Sequence, residues 1–197
     1  MTVLDPSEYD ISYFDGRSTS LKHNAGYAKY ERWYRNDGAG SLGEKWLDRA
    51  KFYVDKYQLQ GKKVLDIGCA KGFMVEDLRG MGVDAYGLDV SPYAIGEADP
   101  AVQPYLYTGD ARTYLSNFVN NEFQVVFSLR FLECMPEADI PDLIDEMNRI
   151  GRFQFHAIDV DPNPTYYHAQ PLTWWANFKW PKKTVLIGRE TEEEVTI

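Results

Sequence analysis

The sequence predicts a doubly wound α/β domain, with a mostly parallel sheet covered by helices on both faces. Three observations predict it. From Lys63 onward, short apolar runs alternate with stretches of helical character. The first run passes into a helix through a glycine-rich turn, Gly68-Cys69-Ala70-Lys71-Gly72. A chain of 197 residues, 44% of them hydrophobic, suffices for one domain with a sizeable core.

The elements follow in order. Residues 1–40 are polar, aromatic and rich in turn formers, and read as an irregular arm with short helical pieces. Ser41 to Tyr57 reads as a helix. Ser41 and Glu44 have capping-box spacing, and Leu42, Trp46, Ala50, Tyr53, Val54 and Tyr57 share one helical face. Gly61 ends that unit. The expected strands are Lys63–Ile67, Ala85–Leu88, Tyr105–Thr108, Phe123–Phe127, Phe153–Ile158 and Thr184–Gly188. The expected helices between and after them are Gly72–Gly80, Pro92–Ala98, Ala111–Phe118, Ile140–Ile150 and Leu172–Phe178. The fourth is the clearest, with an apolar stripe of Ile140, Leu143, Ile144 and Met147, Asp139 as N-cap and Gly151 as C-cap. Residues 1–60 are expected to cover a site built by residues 61–197, all within one domain.

Composition excludes several function classes. Net charge is -9 and the sequence pI is about 4.8, without any lysine or arginine cluster, so a nucleic-acid partner is not expected. No signal peptide is visible, and no apolar run approaches the ~18 residues that a membrane span needs. The two cysteines, Cys69 and Cys134, fit neither a metal spacing nor a disulfide framework. A cytoplasmic protein, monomeric or homodimeric, is the expectation.

In such sheets ligands bind outside the carboxyl ends of the strands, where strand order switches. Three readings of the Gly68–Gly72 turn compete there. It is a tight turn without a ligand, a dinucleotide cradle, or a site for a cationic amino-acid nucleoside. The dinucleotide fingerprint needs G-x-G-x-x-G, and here the spacing differs and Ala70 stands where the close-approach glycine belongs. Asp66 would also place a carboxylate near an anionic pyrophosphate. Asp89 ends the second strand, 23 residues after Asp66, close to the ~20-residue offset of a ribose-binding acid. A carboxylate can accept both hydrogens of a ribose diol. Asp110 ends the third strand, and can accept from an adenine amino group or simply cap the next helix. Acids at three successive strand ends are hard to explain as caps, and favour the cationic nucleoside.

With these residues in hand, the run Val64-Leu65-Asp66-Ile67-Gly68-Cys69-Ala70-Lys71-Gly72-Phe73 resembles the first motif of class I S-adenosylmethionine-dependent methyltransferases. Asp89 and Asp110 match that family's ribose and adenine acids. Phe123–Ser128 resembles its fourth strand, and Leu132-Glu133-Cys134 a segment that commonly reads Leu-Glu-His. The resemblance spans about residues 60–190. It implies that Gly68, Cys69, Ala70 and Gly72 approach the methionine moiety with Asp66 beneath it. It implies that Asp89 and Val90 hold ribose, that Asp110 and Ala111 hold adenine, and that Ser128 offers backbone near the sulfonium. Lys71 resembles versions of the loop from sugar and surface-polysaccharide gene clusters. A last antiparallel strand, usual in the family, must come from Glu194–Ile197 or be absent.

Methyl transfer to a hydroxyl needs alignment and removal of a proton. His23 reads as a surface residue and His156, mid-strand, as a satisfied core histidine. His168, in the loop after the fifth strand, is the favoured base, with Asp159 at the strand end as second candidate. Asp159 and Asp161 form a weak metal signal, and no metal is expected. Cys134 replaces the family's histidine and reads as a buried free thiol. Glu133 orients the acceptor or pairs with Arg130. Gly26–Tyr30 reads as a lid, with Tyr27 reaching the cofactor carboxylate, or as a packed aromatic arm. Trp174 and Trp175, on adjacent positions, are expected to face core and pocket separately. The expected activity is S-adenosylmethionine-dependent methylation of a small polar acceptor, such as a sugar or glycan intermediate. Alternatives are a non-catalytic or regulatory cofactor-binding domain and, disfavoured by loop spacing, a nicotinamide oxidoreductase.

Overall fold

The computed structural model describes residues 9–10, 14, 46–158, 160, 170–180, 184–188 and 194–196. Helix α1 (Trp46–Tyr57) precedes β1 (Lys63–Ile67). Then follow α2 (Phe73–Gly80), β2 (Asp84–Asp89), α3 (Pro92–Gly96), β3 (Leu106–Thr108), α4 (Ala111–Tyr114) and β4 (Phe123–Leu129). After two single 3-10 turns come α5 (Ile140–Ile150), β5 (Gly151–Ile158), α6 (Leu172–Trp175), β6 (Thr184–Gly188) and β7 (Glu194–Thr196). The sheet runs β3-β2-β1-β4-β5-β6-β7. The first six strands in that order pair in parallel, and β7 lies antiparallel on β6. This is the doubly wound fold that the alternation predicts, and β7 supplies the antiparallel strand expected from Glu194 onward.

Central strands are buried on both faces, so their side chains alternate between two apolar layers. Val64, Val125, Phe127 and Phe155 join the layer under α1 and α2. Leu65, Ile67, Val126 and Ile158 join the layer under α5 and α6. Of the face predicted for α1, Ala50, Tyr53 and Val54 are buried and Tyr57 is half-buried, while Ser41, Leu42 and Glu44 lie outside the described residues. The rings of Tyr53 and Tyr57 lie 4.8 and 4.6 Å from that of Phe155, which stacks on Phe127 at 4.8 Å. On α5 the whole stripe of Ile140, Leu143, Ile144, Met147 and Ile150 is buried. Each such aliphatic side chain contributes about 1.5–3 kcal/mol by leaving water.

Three local expectations are corrected. Asp139 stands before α5, but its carboxylate makes no cap bond and instead pairs with Arg112 Nη1 at 3.2 Å. The Ala111–Phe118 helix stops at Tyr114 and continues as a 3-10 turn over Leu115–Asn117. Cys134 is half-buried rather than buried, its Sγ 3.7 Å from the Arg130 carbonyl. Trp175 is fully buried and Trp174 half-buried, as adjacent helical positions require. Among the described residues, no helix is long and apolar enough to cross a membrane.

Candidate functional site

Strand order reverses between β1 and β4, so their carboxyl ends flank a crevice. The link from β1 to α2 fills its rim. Gly68, Ala70 and Gly72 there have φ of 82°, 49° and 74°. A Cβ on Gly72 would stand 2.8 Å from Leu106 Cδ1, and one on Gly68 3.0 Å from Phe131 Cδ2. Positive φ favours glycine at both, and a side chain there would also press on a neighbour. Ala70, which replaces a glycine, nonetheless takes the left-handed conformation, at a cost of roughly 1–2 kcal/mol. What holds it is a bond from its N–H to Asp89 Oδ2 at 2.8 Å. Gly68 and Cys69 N–H groups donate to the Leu88 carbonyl at 2.8 and 3.2 Å. The loop thus hangs from the end of β2.

Asp89 also accepts from Ser91 N–H at 2.9 Å. Burial pushes its pKa up, although its backbone donors pull the other way. Asp66 is 3% exposed, and its Oδ1 has no hydrogen-bond partner. Burial first, and the neighbouring Asp89 charge second, raise its pKa well above the usual carboxylate range. Burial first, then the Asp89 and Asp66 charges, raise the Cys69 thiol well above its usual range, which favours the protonated form. Two acids meeting beneath a close-approach loop suit a cation carrying hydroxyls and disfavour a pyrophosphate. The donor set therefore fits a cationic nucleoside.

At the end of β3, Asp110 caps α4 by accepting from Arg112 N–H at 3.0 Å. Arg112 also folds back, placing Nε 3.0 Å from both carboxylate oxygens and Nη2 2.5 Å from Oδ2. These bonds hold Asp110 below its usual pKa. Ala111 is buried at the first turn of α4. At the end of β4, the Ser128 side chain faces the α5 layer and meets His156 Nδ1 at 2.8 Å. His156 Nε2 lies 3.0 Å from Gln154 Oε1, while Gln154 Nε2 donates to Asn148 Oδ1 at 2.8 Å. Nε2 therefore carries the imidazole hydrogen, and Nδ1 accepts from the Ser128 hydroxyl. Burial pushes the His156 pKa down to about 3. His156 is the satisfied core histidine that its mid-strand position predicts.

The structure thus brings Asp66, Gly68, Cys69, Ala70, Gly72, Asp89 and Val90 together and sets Asp110, Ala111 and Ser128 at neighbouring strand ends. Tyr27, Asp159 and His168 lie outside the described residues, as do His23, Asp161 and the Gly26–Tyr30 segment. Arm residues that sequence reasoning missed do reach the loop. The Tyr9 carbonyl accepts from Ser91 Oγ, and Phe14 is buried in a cluster with Ala70 and Ala94, its ring 6.2 Å from Tyr93. Lys71 is buried there too, with Nζ 5.7 Å above the Tyr93 ring. Phe131 and Arg112 were likewise missed, and Asp139 was read only as a helix cap. Arg112 did leave a local signal, two residues after a candidate acid. Glu133 is buried, whereas Arg130 is exposed, with φ 59°.

The fold and this loop define a class: sheet proteins that hold a nucleoside cofactor at the first strand end. A family model for the methyltransferase domain matches residues 64–162, just over half the chain. The chain belongs to that family, the class I S-adenosylmethionine-dependent methyltransferases, and S-adenosylmethionine is the cofactor of the class. Ubiquinone biosynthesis O-methyltransferase of Methylococcus capsulatus is 30% identical over 116 residues, which are 50% of this chain and 49% of that protein. Its counterpart in Paraburkholderia phymatum is 42% identical over 55 residues, 28% of this chain and 21% of that one. The chain thus spans half or less of the length of these curated relatives. Magnesium protoporphyrin IX methyltransferase from Synechocystis PCC 6803, solved with bound SAM, matches with a TM-score of 0.56 and 21% identity, covering 85% of this chain and 82% of that one. A SAM-dependent methyltransferase from Archaeoglobus fulgidus matches with a TM-score of 0.55 and 19% identity, over 76% and 71% of the two chains. At these identities the structural likeness shows the fold.

Proposed function

We propose that this chain transfers the methyl group of S-adenosylmethionine to a hydroxyl of a small polar acceptor, a sugar or glycan intermediate. One observation carries the cofactor half. Asp66 is buried beneath the glycine loop with an oxygen that no protein group satisfies, and a bound cation with donors would relieve that cost. Gly68, Cys69, Ala70 and Gly72 would line the methionine moiety, with Asp66 below. Asp89 and Val90 would take ribose, and Asp110 and Ala111 adenine. Ser128 would stand near the sulfonium, and Tyr27 would close over the carboxylate. The cofactor, when bound, supplies the electrophilic methyl. The chain's part is to align the acceptor and take its proton, for which Asp159 and His168 are the candidates. The O-methyltransferase relatives support oxygen as the atom methylated. Lys71, through its resemblance to polysaccharide-cluster loops, supports a sugar.

A second reading, a cofactor-binding domain without catalysis, is favoured by one fact: His156 is committed to Ser128 and Gln154. Calorimetric titration with S-adenosylmethionine, S-adenosylhomocysteine and NAD tests the cofactor. Micromolar binding of the first two and none of NAD is expected, and the reverse would sink the proposal. A panel of sugars and sugar nucleotides with labelled methyl donor then tests transfer. Cofactor binding without transfer to any acceptor would favour the second reading.

A further inference from the structure

We propose that Arg112 is a positioning and specificity-determining residue for the adenine end of the cofactor, acting through Asp110 and anchored by Asp139. The inference rests on the assignment of Asp110 to adenine made above. A carboxylate offers about four acceptor sites. Three donors of Arg112 already approach Asp110: backbone N, Nε and Nη2. With the Nε hydrogen shared between both oxygens, these three hydrogens leave room for about one more, such as one N–H of a 6-amino group. A bidentate guanidinium also fixes the plane of the carboxylate, which a lysine ammonium cannot do. Arg112 Nη1 reaches Asp139 Oδ2 at 3.2 Å, so the head of the guanidinium is held from the far side as well.

Two consequences follow for recognition. Asp110 is presented already oriented, at a side chain only 28% exposed, so little rotamer freedom is lost when a base arrives. Arg112 also keeps Asp110 ionised and therefore purely an acceptor. A purine with a 6-amino group donates to it, whereas one with a 6-oxo group opposes an oxygen to it. Arg112 thus turns a helix-capping acid into a reader of the 6-position.

The test compares Arg112→Ala, Arg112→Lys and Asp139→Ala with the wild-type chain. Each is titrated calorimetrically with S-adenosylhomocysteine and with its inosine counterpart, and melted without ligand. Arg112→Ala is expected to weaken the adenosyl ligand by about 5-fold, the scale of a part-exposed bidentate pair. The inosyl ligand is expected to be unaffected, so the adenosyl preference falls by the same factor. Arg112→Lys should restore less than half of that loss, and Asp139→Ala should give a smaller loss of the same sign. Unchanged binding of both ligands by Arg112→Ala would overturn the inference. So would an equal loss for both, since that pattern marks a merely structural role. A wild-type chain that binds neither would overturn the functional reading, and this inference with it, and is told apart by the wild-type titration alone.

Discussion

Substituting Gly87 by alanine should damage the cofactor loop from behind. Gly87 lies in β2 opposite Asp66 of β1. A Cβ there would stand 2.6 Å from Cys69 Sγ, 2.8 Å from Cys69 Cβ and 2.8 Å from Leu106 Cδ2. Each separation is about 1 Å inside ordinary carbon or sulfur contact. Leu106 has rotamers to spare. Cys69 does not, because it sits between Gly68 and Ala70 with its N–H bonded to the Leu88 carbonyl. Overpacking of this kind costs about 1–3 kcal/mol, and the smaller unfolded-state entropy of alanine offsets roughly 0.5–1 of it. A net loss of about 1–2 kcal/mol corresponds to a fall in Tm of roughly 2–8 °C for a chain of this length. The displaced loop should also lose affinity for S-adenosylhomocysteine beyond what the stability loss explains. Thermal melts and titrations of Gly87→Ala, Cys69→Ala and the double variant measure both effects. The double variant removes the Sγ contact but keeps the Cβ contact, so a coupling of about 1 kcal/mol is expected. A Gly87→Ala protein that melts within 1 °C of wild type and binds as tightly would refute the steric argument.

Two further predictions concern charge. His156 has a folded pKa of about 3, against 6.5 when unfolded. As pH falls below 6.5 the unfolded chain takes a proton that the folded one refuses, so stability present above 6.5 is lost towards 3. Urea denaturation should therefore show the wild-type advantage over His156→Asn shrinking by about 1.4 kcal/mol per pH unit on acidification, and a constant gap would contradict the buried neutral ring. Asp66, raised by burial and by Asp89, acts with the opposite sign, since its ionised form costs stability at neutral pH and protonation relieves that cost. Asp66→Asn should raise the melting temperature of the unliganded protein while weakening S-adenosylmethionine by about 10-fold or more. A variant less stable than wild type with unchanged affinity would count against a cation above Asp66.

How much of this was legible in the sequence varied with the range of the interaction. The spans of β1, β6 and α5 read correctly because each is a local pattern with clear ends. The strand-end acids were legible because topology alone brings successive strand ends to one side. Helix ends were harder: α3 stops at Gly96, short of Ala98, and the helix from Ala111 tightens into a 3-10 turn. Asp139 looks like a cap in any local window, and only the fold shows the arginine 27 residues away that claims its carboxylate. Ala70 looks like the loss of a glycine, yet Asp89, 19 residues on, holds it in the glycine conformation. His156 was recognisable as core, but its partner Ser128 depends on the register of β4 against β5, which no local pattern encodes.

The stretch between Arg130 and Asp139 has a consequence for how such a protein can diversify. Through Phe131 it abuts Gly68 at the loop after β1, and through Asp139 it holds Arg112 beside the end of β3. It works as a strut pinned at two points. Lengthening or shortening it would pull on both ends of the cradle together, so drift here is constrained even though Glu137 and Ala138 are exposed. New acceptor preferences would arise more readily in the segments that are not tied to the cradle at two points. An engineer grafting a different acceptor pocket would do well to leave this stretch at its present length.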